Sequence, residues 1–192
     1  MFFLKIIAGW IAYFALHSIL AANAVKEKCR LQFPVLFSYY RIIYNLVAVG
    51  GLLLLAYSSF QDKNFLMQQT TWMKLAGLFF ALLGMLVLGI AASSFNMKEF
   101  LGLEKEQLNQ EAKLVTKGVY GYVRHPLYTG VFILLPGVFL LRPTLSILLC
   151  VFITAIYIEI GSRLEEQKLI EVFGEQYIKY SKSVKRYFPF IY

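Results

Sequence analysis

A chain of 192 residues that is 59% hydrophobic and 17% aromatic, with a mean hydropathy of +0.62, is too apolar for an ordinary soluble domain. Its net charge of +8 suits an anionic lipid surface and calls for no nucleic acid, for which no recognition module is visible. The two cysteines, Cys29 and Cys150, form no disulfide framework and have no metal-ligand spacing to each other or to either histidine.

About 20 apolar residues are needed to cross roughly 30 Å of hydrocarbon. Residues 2–25 meet that length, broken only by Lys5, and lack a small-residue cleavage site, so a retained helix is expected rather than a removed leader. Residues 42–60 and 75–95 supply two more crossings. Two shorter uncharged segments follow, 127–141 and 143–158, with only Arg142-Pro143 between them, which predicts a helical hairpin. Fifteen residues make a helix of about 22 Å, so the open end of this hairpin is expected slightly inside the membrane boundary. Pro136 in its first arm predicts a kink.

The expected fold is therefore an all-α integral membrane protein with five transmembrane helices and C-terminal helices on the cytoplasmic side. No linker or low-complexity tract divides it. Residues 1–192 read as one membrane domain, with three helices in 1–95 and a second region in 96–192. Five crossings put the termini on opposite sides. If the 25–41 loop, the 96–124 segment and the tail from 163 lie inside, 15 of the 19 Lys and Arg are inside, and Lys5, Lys63, Lys74 and Arg142 are outside. That asymmetry predicts the N-terminus outside and the C-terminus in the cytoplasm. Gly84 and Gly89 permit close helix approach, but their spacing is not the usual dimer motif, and the oligomeric state stays open.

Two polar clusters stand at the membrane edge. The first, "KGVYGYVRHPLYTG" at 117–130, has two readings. As an anchor, Arg124 snorkels, the tyrosines form an interfacial belt and Pro126 opens a helix. As a site, tyrosine faces attract a sulfonium-type cation, Gly118 and Gly121 permit close backbone approach, and Arg124 binds a carboxylate.

The second cluster starts where the last apolar arm ends, in "EIGSRLEEQKLIEVFGEQYIKYSKSVKRYFPF". Glu159 and Glu166 share a helix face, and Glu159 can pair with Arg163 four residues on. The Arg142-Pro143 turn returns this stretch to the level of Arg124 and His125. Phe173, Tyr177, Tyr180 and Val184 form a helical stripe expected to pack, with a break near Gly174 and a tail that folds over the open end of the hairpin. His17, inside the first span, pairs with Ser18 or a neighbouring helix, or else faces the bundle interior and touches substrate.

"LVTKGVYGYVRHPLYTG" followed by "LEEQKLIEVFGEQYIKYSKSVKRYFPF" closely resembles the C-terminal signature of the isoprenylcysteine carboxyl methyltransferase superfamily over about residues 112–190. "ALHSILAANAVKEK", "YYRIIYN" and "SSFNMKEFLGL" resemble its shorter bacterial branch, which includes methanethiol S-methyltransferases and denitrification-associated membrane proteins. The resemblance implies a membrane methyltransferase, of the bacterial inner membrane, that uses S-adenosylmethionine without a G-x-G-x-x-G loop. It implies cofactor contacts at Lys113, Leu114, Val115, Tyr120, His125, Pro126, Leu127, Tyr128 and Glu165, under C-terminal helices that close the pocket, and catalytic roles for Arg124 and Glu166. The prenylcysteine enzymes carry a substrate-associated arginine where this chain has Gly161; Arg163 and His17 are the candidates to meet substrate instead. The expected acceptor is a small thiol or a lipid-like molecule, with membrane lipids as neighbours. Two alternatives remain: an NADPH-dependent enzyme like the integral sterol reductases, which share a related R-H-P-x-Y core, and a non-catalytic membrane helper.

Overall fold

Helices of 20 to 22 residues rise about 30 Å at 1.5 Å per residue, and three elements of this chain have that length. The structure, a computed structural model, describes residues 1–95, 97–101, 103 and 114–189, without the side chains of 99 and 100. Helix α1 (Phe2–Ala21) stops short of the predicted boundary at 25, because Ala22 turns extended and the polar run from Asn23 begins α2 (Asn23–Gln32). The short α3 (Pro34–Phe37) leads into α4 (Tyr40–Phe60), which returns antiparallel to α1. Three side chains fix that pairing: Trp10 Nε1 donates to Ser59 Oγ at 3.1 Å, Tyr13 to the carbonyl of Ala48 at 3.0 Å, and Tyr40 to that of Leu20 at 2.6 Å.

Helix α5 (Thr71–Ala92) begins with Thr70, whose hydroxyl accepts the amide of Met73 at 3.2 Å, a regular N-cap. After α6 (Met97–Leu101) and a 3₁₀ turn at Gly118–Gly121 come α7 (Pro126–Leu141), α8 (Leu145–Phe173) and α9 (Glu175–Ser183). Pro126 takes the first turn of α7, where no amide donor is missed. The helix continues through Pro136. Among the described residues four helices, α1, α4, α5 and α8, are long and apolar enough to cross a membrane, and the chain is an integral membrane protein. α7 fills the position of the other predicted crossing but has only 16 residues.

The hairpin of α7 and α8 is present, but the principal partner of α7 is α5. Gly77, Gly84 and Ala91 are buried along α5 at intervals of seven, and Gly130 and Gly137 repeat that interval on α7. The two helices run antiparallel and touch backbone to backbone. A Cβ on Gly84 would sit 2.6 Å from the amide nitrogen of Leu134, and one on Gly137 would sit 2.5 Å from that of Ala81. Small residues allow such approach in lipid, where dispersion between helices replaces the hydrophobic effect. Gly89 meets nothing within 4 Å and plays no part in this contact.

At the end of the bundle that carries the α7–α8 turn, the chain locks itself with Asp62. Its Oδ2 accepts from Ser146 N at 3.2 Å and Ser146 Oγ at 2.9 Å, capping the first turn of α8 from a distant loop. Arg142 donates to the carbonyl of Asp62 at 2.8 Å and lies 5.3 Å from the ring centre of Phe65. α8 passes the end predicted at 158 and stays helical to Phe173. It stops at Gly174, whose φ of +53° is a conformation that side chains disfavour.

Candidate active site

The second cluster is assembled at the opposite end, where α7 starts and α8 runs past its apolar part. The tail after α9 folds back onto the start of α7: the amide of Arg124 donates to the carbonyl of Lys185 at 2.8 Å, and that of His125 to the carbonyl of Arg186 at 3.0 Å. Thr129 Oγ1 adds a bond of 2.7 Å to the carbonyl of Tyr187. Tyr180 Oη donates to the carbonyl of Tyr120 at 2.6 Å, tying α9 to the 3₁₀ turn. The predicted stripe packs as expected: Tyr177, Tyr180 and Val184 form a buried cluster against Leu114, Leu169 and Phe173.

Glu166 is the hub. Arg124 reaches its Oε1 through Nε at 2.9 Å and Nη2 at 2.8 Å, and His125 Nε2 meets the same oxygen at 3.1 Å. Arg186 holds Oε2 through Nη2 at 2.8 Å. Burial alone would raise this carboxyl. Hydrogen bonds from His125, Arg186 and Arg124 outweigh it and hold the group well below the usual carboxylate range. Arg124 also donates through Nη1 to the carbonyls of Ser181, at 2.7 Å, and Val184. One guanidinium therefore joins α7, α8 and the tail, as its fork of donors permits.

Glu165, one residue earlier, has different surroundings. Its Oε2 accepts from Tyr128 Oη at 3.1 Å and lies 3.7 Å from His125 Nδ1. Its Oε1 has no hydrogen bond among the described residues, and the side chain is 49% exposed. The rings of His125 and Tyr128 stack at 5.4 Å. Beyond them Tyr187 donates to Glu159 Oε2 at 3.0 Å and meets Ser162 Oγ, and Arg186 reaches Glu159 Oε1 at 3.3 Å. Burial, then Glu159, pushes the phenol of Tyr187 up to about 12, and burial does the same for Tyr180, so both are donors at neutral pH.

The remaining predicted residues divide. Tyr120 borders the site, its phenol raised to about 12 by burial and by Glu165, with its ring edge-on to Phe95 at 6.1 Å. Pro126 is buried and Leu127 half-buried in the first turn of α7, Leu114 packs under α9, and Val115 is exposed. Arg163 pairs with Glu159 at 2.7 Å, as its spacing predicts, and its side chain is 62% exposed, outside the Glu166 hub. His17 is one helix away, bonded to Tyr44, while Ser18 meets Tyr157. Lys113 lies outside the described residues.

The sequence reading did not place Arg186, Tyr187, Ser162 or Thr129 in the site. Arg186 stands 20 residues from Glu166, and no local period connects them. Tyr177 Oη is a further surprise: the residue is 1% exposed and this hydroxyl has no partner among the described residues.

The family described as phospholipid methyltransferase matches residues 70–176. The methanethiol S-methyltransferase of Crocosphaera subtropica is 34% identical over 117 residues, covering 57% of this chain and 44% of the relative. The protein-S-isoprenylcysteine O-methyltransferase of Rattus norvegicus is 33% identical over 131 residues, covering 65% of this chain and 44% of the relative. Protein-S-isoprenylcysteine O-methyltransferase B of Arabidopsis thaliana is 32% identical over 127 residues, covering 65% and 64%. The chain thus spans less than half the length of the first two. No solved structure matches it.

Proposed function

Because the chain belongs to the phospholipid methyltransferase family, we propose that it is an S-adenosylmethionine-dependent integral membrane methyltransferase acting on a small thiol or a lipid-like acceptor. The observation that carries this reading is the contrast between adjacent glutamates. Glu166 is saturated by two guanidiniums and an imidazole, whereas Glu165 keeps an open carboxylate oxygen beside the His125–Tyr128 stack.

The residues present fit the cofactor. Glu165 is an acceptor for an ammonium group, the aromatic faces of Tyr120 and Tyr128 suit a sulfonium, and the orphaned Tyr177 Oη is a buried hydroxyl in need of a partner. When bound, S-adenosylmethionine supplies a methyl group activated on a positive sulfur. Glu165, His125 and Tyr128 would hold it, with Leu114, Pro126 and Leu127 as apolar wall. Arg124 and Glu166 serve by position: they pin the tail against α7 and α8, which orders the site and excludes water. That assigns the two residues expected to be catalytic to the frame.

The orientation that suits a water-soluble cofactor puts this end in the cytoplasm, with the N-terminus outside, in agreement with the distribution of Lys and Arg. α7 then serves as a fifth, short crossing in a bacterial inner membrane. Calorimetric titration of the detergent-purified chain tests the reading. Saturable binding of S-adenosylmethionine and its demethylated product, weakened in Glu165→Gln, is expected; binding of NADPH alone would overturn it.

A further inference from the structure

The end of the bundle that carries the Glu166 hub has a second feature, which takes no part in that hub. α1 and α8 run parallel: Trp10 bonds Ser59 close to the Asp62–Ser146 lock at the start of α8, and Ser18 meets Tyr157 farther along it. Ala21, where α1 ends, lies three residues past Ser18, and Glu159, the first charge on α8, lies two past Tyr157. The elbow formed by α2 and α3 therefore stands where the apolar part of the bundle gives way to the polar part, on the same end as Glu165.

The side chains of the elbow divide by character. On α2, Val25 and Cys29 are four residues apart and half-buried, whereas Lys26, Lys28 and Arg30 are exposed. Glu27 is the one acid between residues 21 and 41, and it pairs with Arg30 at 2.7 Å, so α2 keeps an excess of positive charge. The chain bends at Phe33, because Pro34 has no amide to continue the ladder of α2 and opens α3 instead. Around this bend Leu31, Phe33, Val35, Leu36 and Tyr39 are exposed, Val35 to 81%. Phe33, Pro34, Val35, Leu36 and Tyr39 line an open apolar groove of about 320 Å³. At roughly 30 Å³ for each water-sized group, that is room for about ten, the scale of an acyl-chain segment. A basic helix beside exposed aliphatic and aromatic side chains, at the border of the bilayer, has the make-up of an element that lies in the membrane interface.

We propose that the α2–α3 elbow is a seat for an anionic phospholipid, which lays an acyl chain in the Phe33–Tyr39 groove and sets its phosphate against the cations of α2. This seat depends on the chain's place in the membrane and is independent of the ligand that occupies the Glu165 site. A neutral lipid would fill the groove but leave the cations without a counter-charge, which an anionic headgroup supplies. A second copy of the chain is the poorer occupant, because pairing two elbows would set three cations against three.

The test uses the full chain in nanodiscs of phosphatidylcholine, with Val35→Trp as reporter and the parent chain, which keeps Trp10 and Trp72, as baseline. A minor fraction of dibrominated phosphatidylglycerol should quench the added tryptophan several-fold more than the same fraction of dibrominated phosphatidylcholine. Combining Lys26→Gln, Lys28→Gln and Arg30→Gln should abolish that preference, and added salt should weaken it in the reporter chain. If Val35→Trp does not fold, Leu36→Trp reports from the same groove. Equal quenching by the two lipids would reduce the elbow to ordinary bilayer contact and overturn the seat. Quenching by neither would mean that protein covers the groove, and a preference that survives the triple substitution would remove the phosphate from α2; either result overturns the assignment.

Discussion

The two ends of the bundle each bury an acid against an arginine, and they use it differently. At the turn end Asp62 is held by neutral donors, the amide and hydroxyl of Ser146, while Arg142 takes only its carbonyl and lies over aromatic rings. At the other end Glu166 faces two guanidiniums and a histidine directly. The first arrangement caps a helix and closes a loop. The second fastens three segments together and leaves the neighbouring carboxylate, Glu165, facing outward with spare capacity.

The largest break in this contrast should come from Glu166→Ala. It leaves Arg124 largely buried without its counter-charge and Arg186 with Glu159 in place of two carboxylates, and removing one partner of a buried pair costs about 3–5 kcal/mol. The amides of Arg124 and His125, bonded to Lys185 and Arg186, should lose hydrogen-exchange protection as the tail lifts. Protection equal to wild type would show that the tail is held by its aromatic residues instead.

Acid should produce the same lifting reversibly. The carboxyl of Glu166 lies below its ordinary value in the folded chain, so its contribution is fully present above the unfolded value near 4.5 and is lost as the pH falls through the depressed folded value. Tail protection should hold from pH 7 to 5 and decline below that, and Glu166→Gln should remove this dependence. Asp62→Ala comes next. Burial raises that carboxyl and hydrogen bonds from Asn64 and Ser146 lower it further, so it is ionised and acts as a remote cap. Its loss should cost about 1–2 kcal/mol of thermal stability while cofactor affinity stays unchanged, because the turn end takes no part in the site.

Much of this contrast was legible in the sequence because it rests on local periods. The apolar runs located the helices, Gly174 marked the break, and Glu159–Arg163 follows from a spacing of four. The α5–α7 contact was not found because its glycines repeat at seven, and Gly84 with Gly89 drew attention to the wrong pair. Arg186 escaped because only the folded tail brings it to Glu166. The end of α1 shifted from 25 to Ala21 since polarity beginning at Asn23, rather than hydropathy averaged over a window, decides where a helix leaves the bilayer.

The smallest effect on stability should be the most informative about function. Glu165→Gln keeps the shape of a half-exposed side chain and an oxygen for Tyr128, so its unfolding free energy should change by no more than about 0.5 kcal/mol. Its affinity for S-adenosylmethionine should nevertheless fall, because a neutral amide cannot complement an ammonium group as a carboxylate does. Affinity lost together with tail protection would make Glu165 another part of the frame, as Glu166 is. Affinity lost with the tail still protected would separate the two glutamates by role: one holds the protein to itself, and the other is left for the ligand.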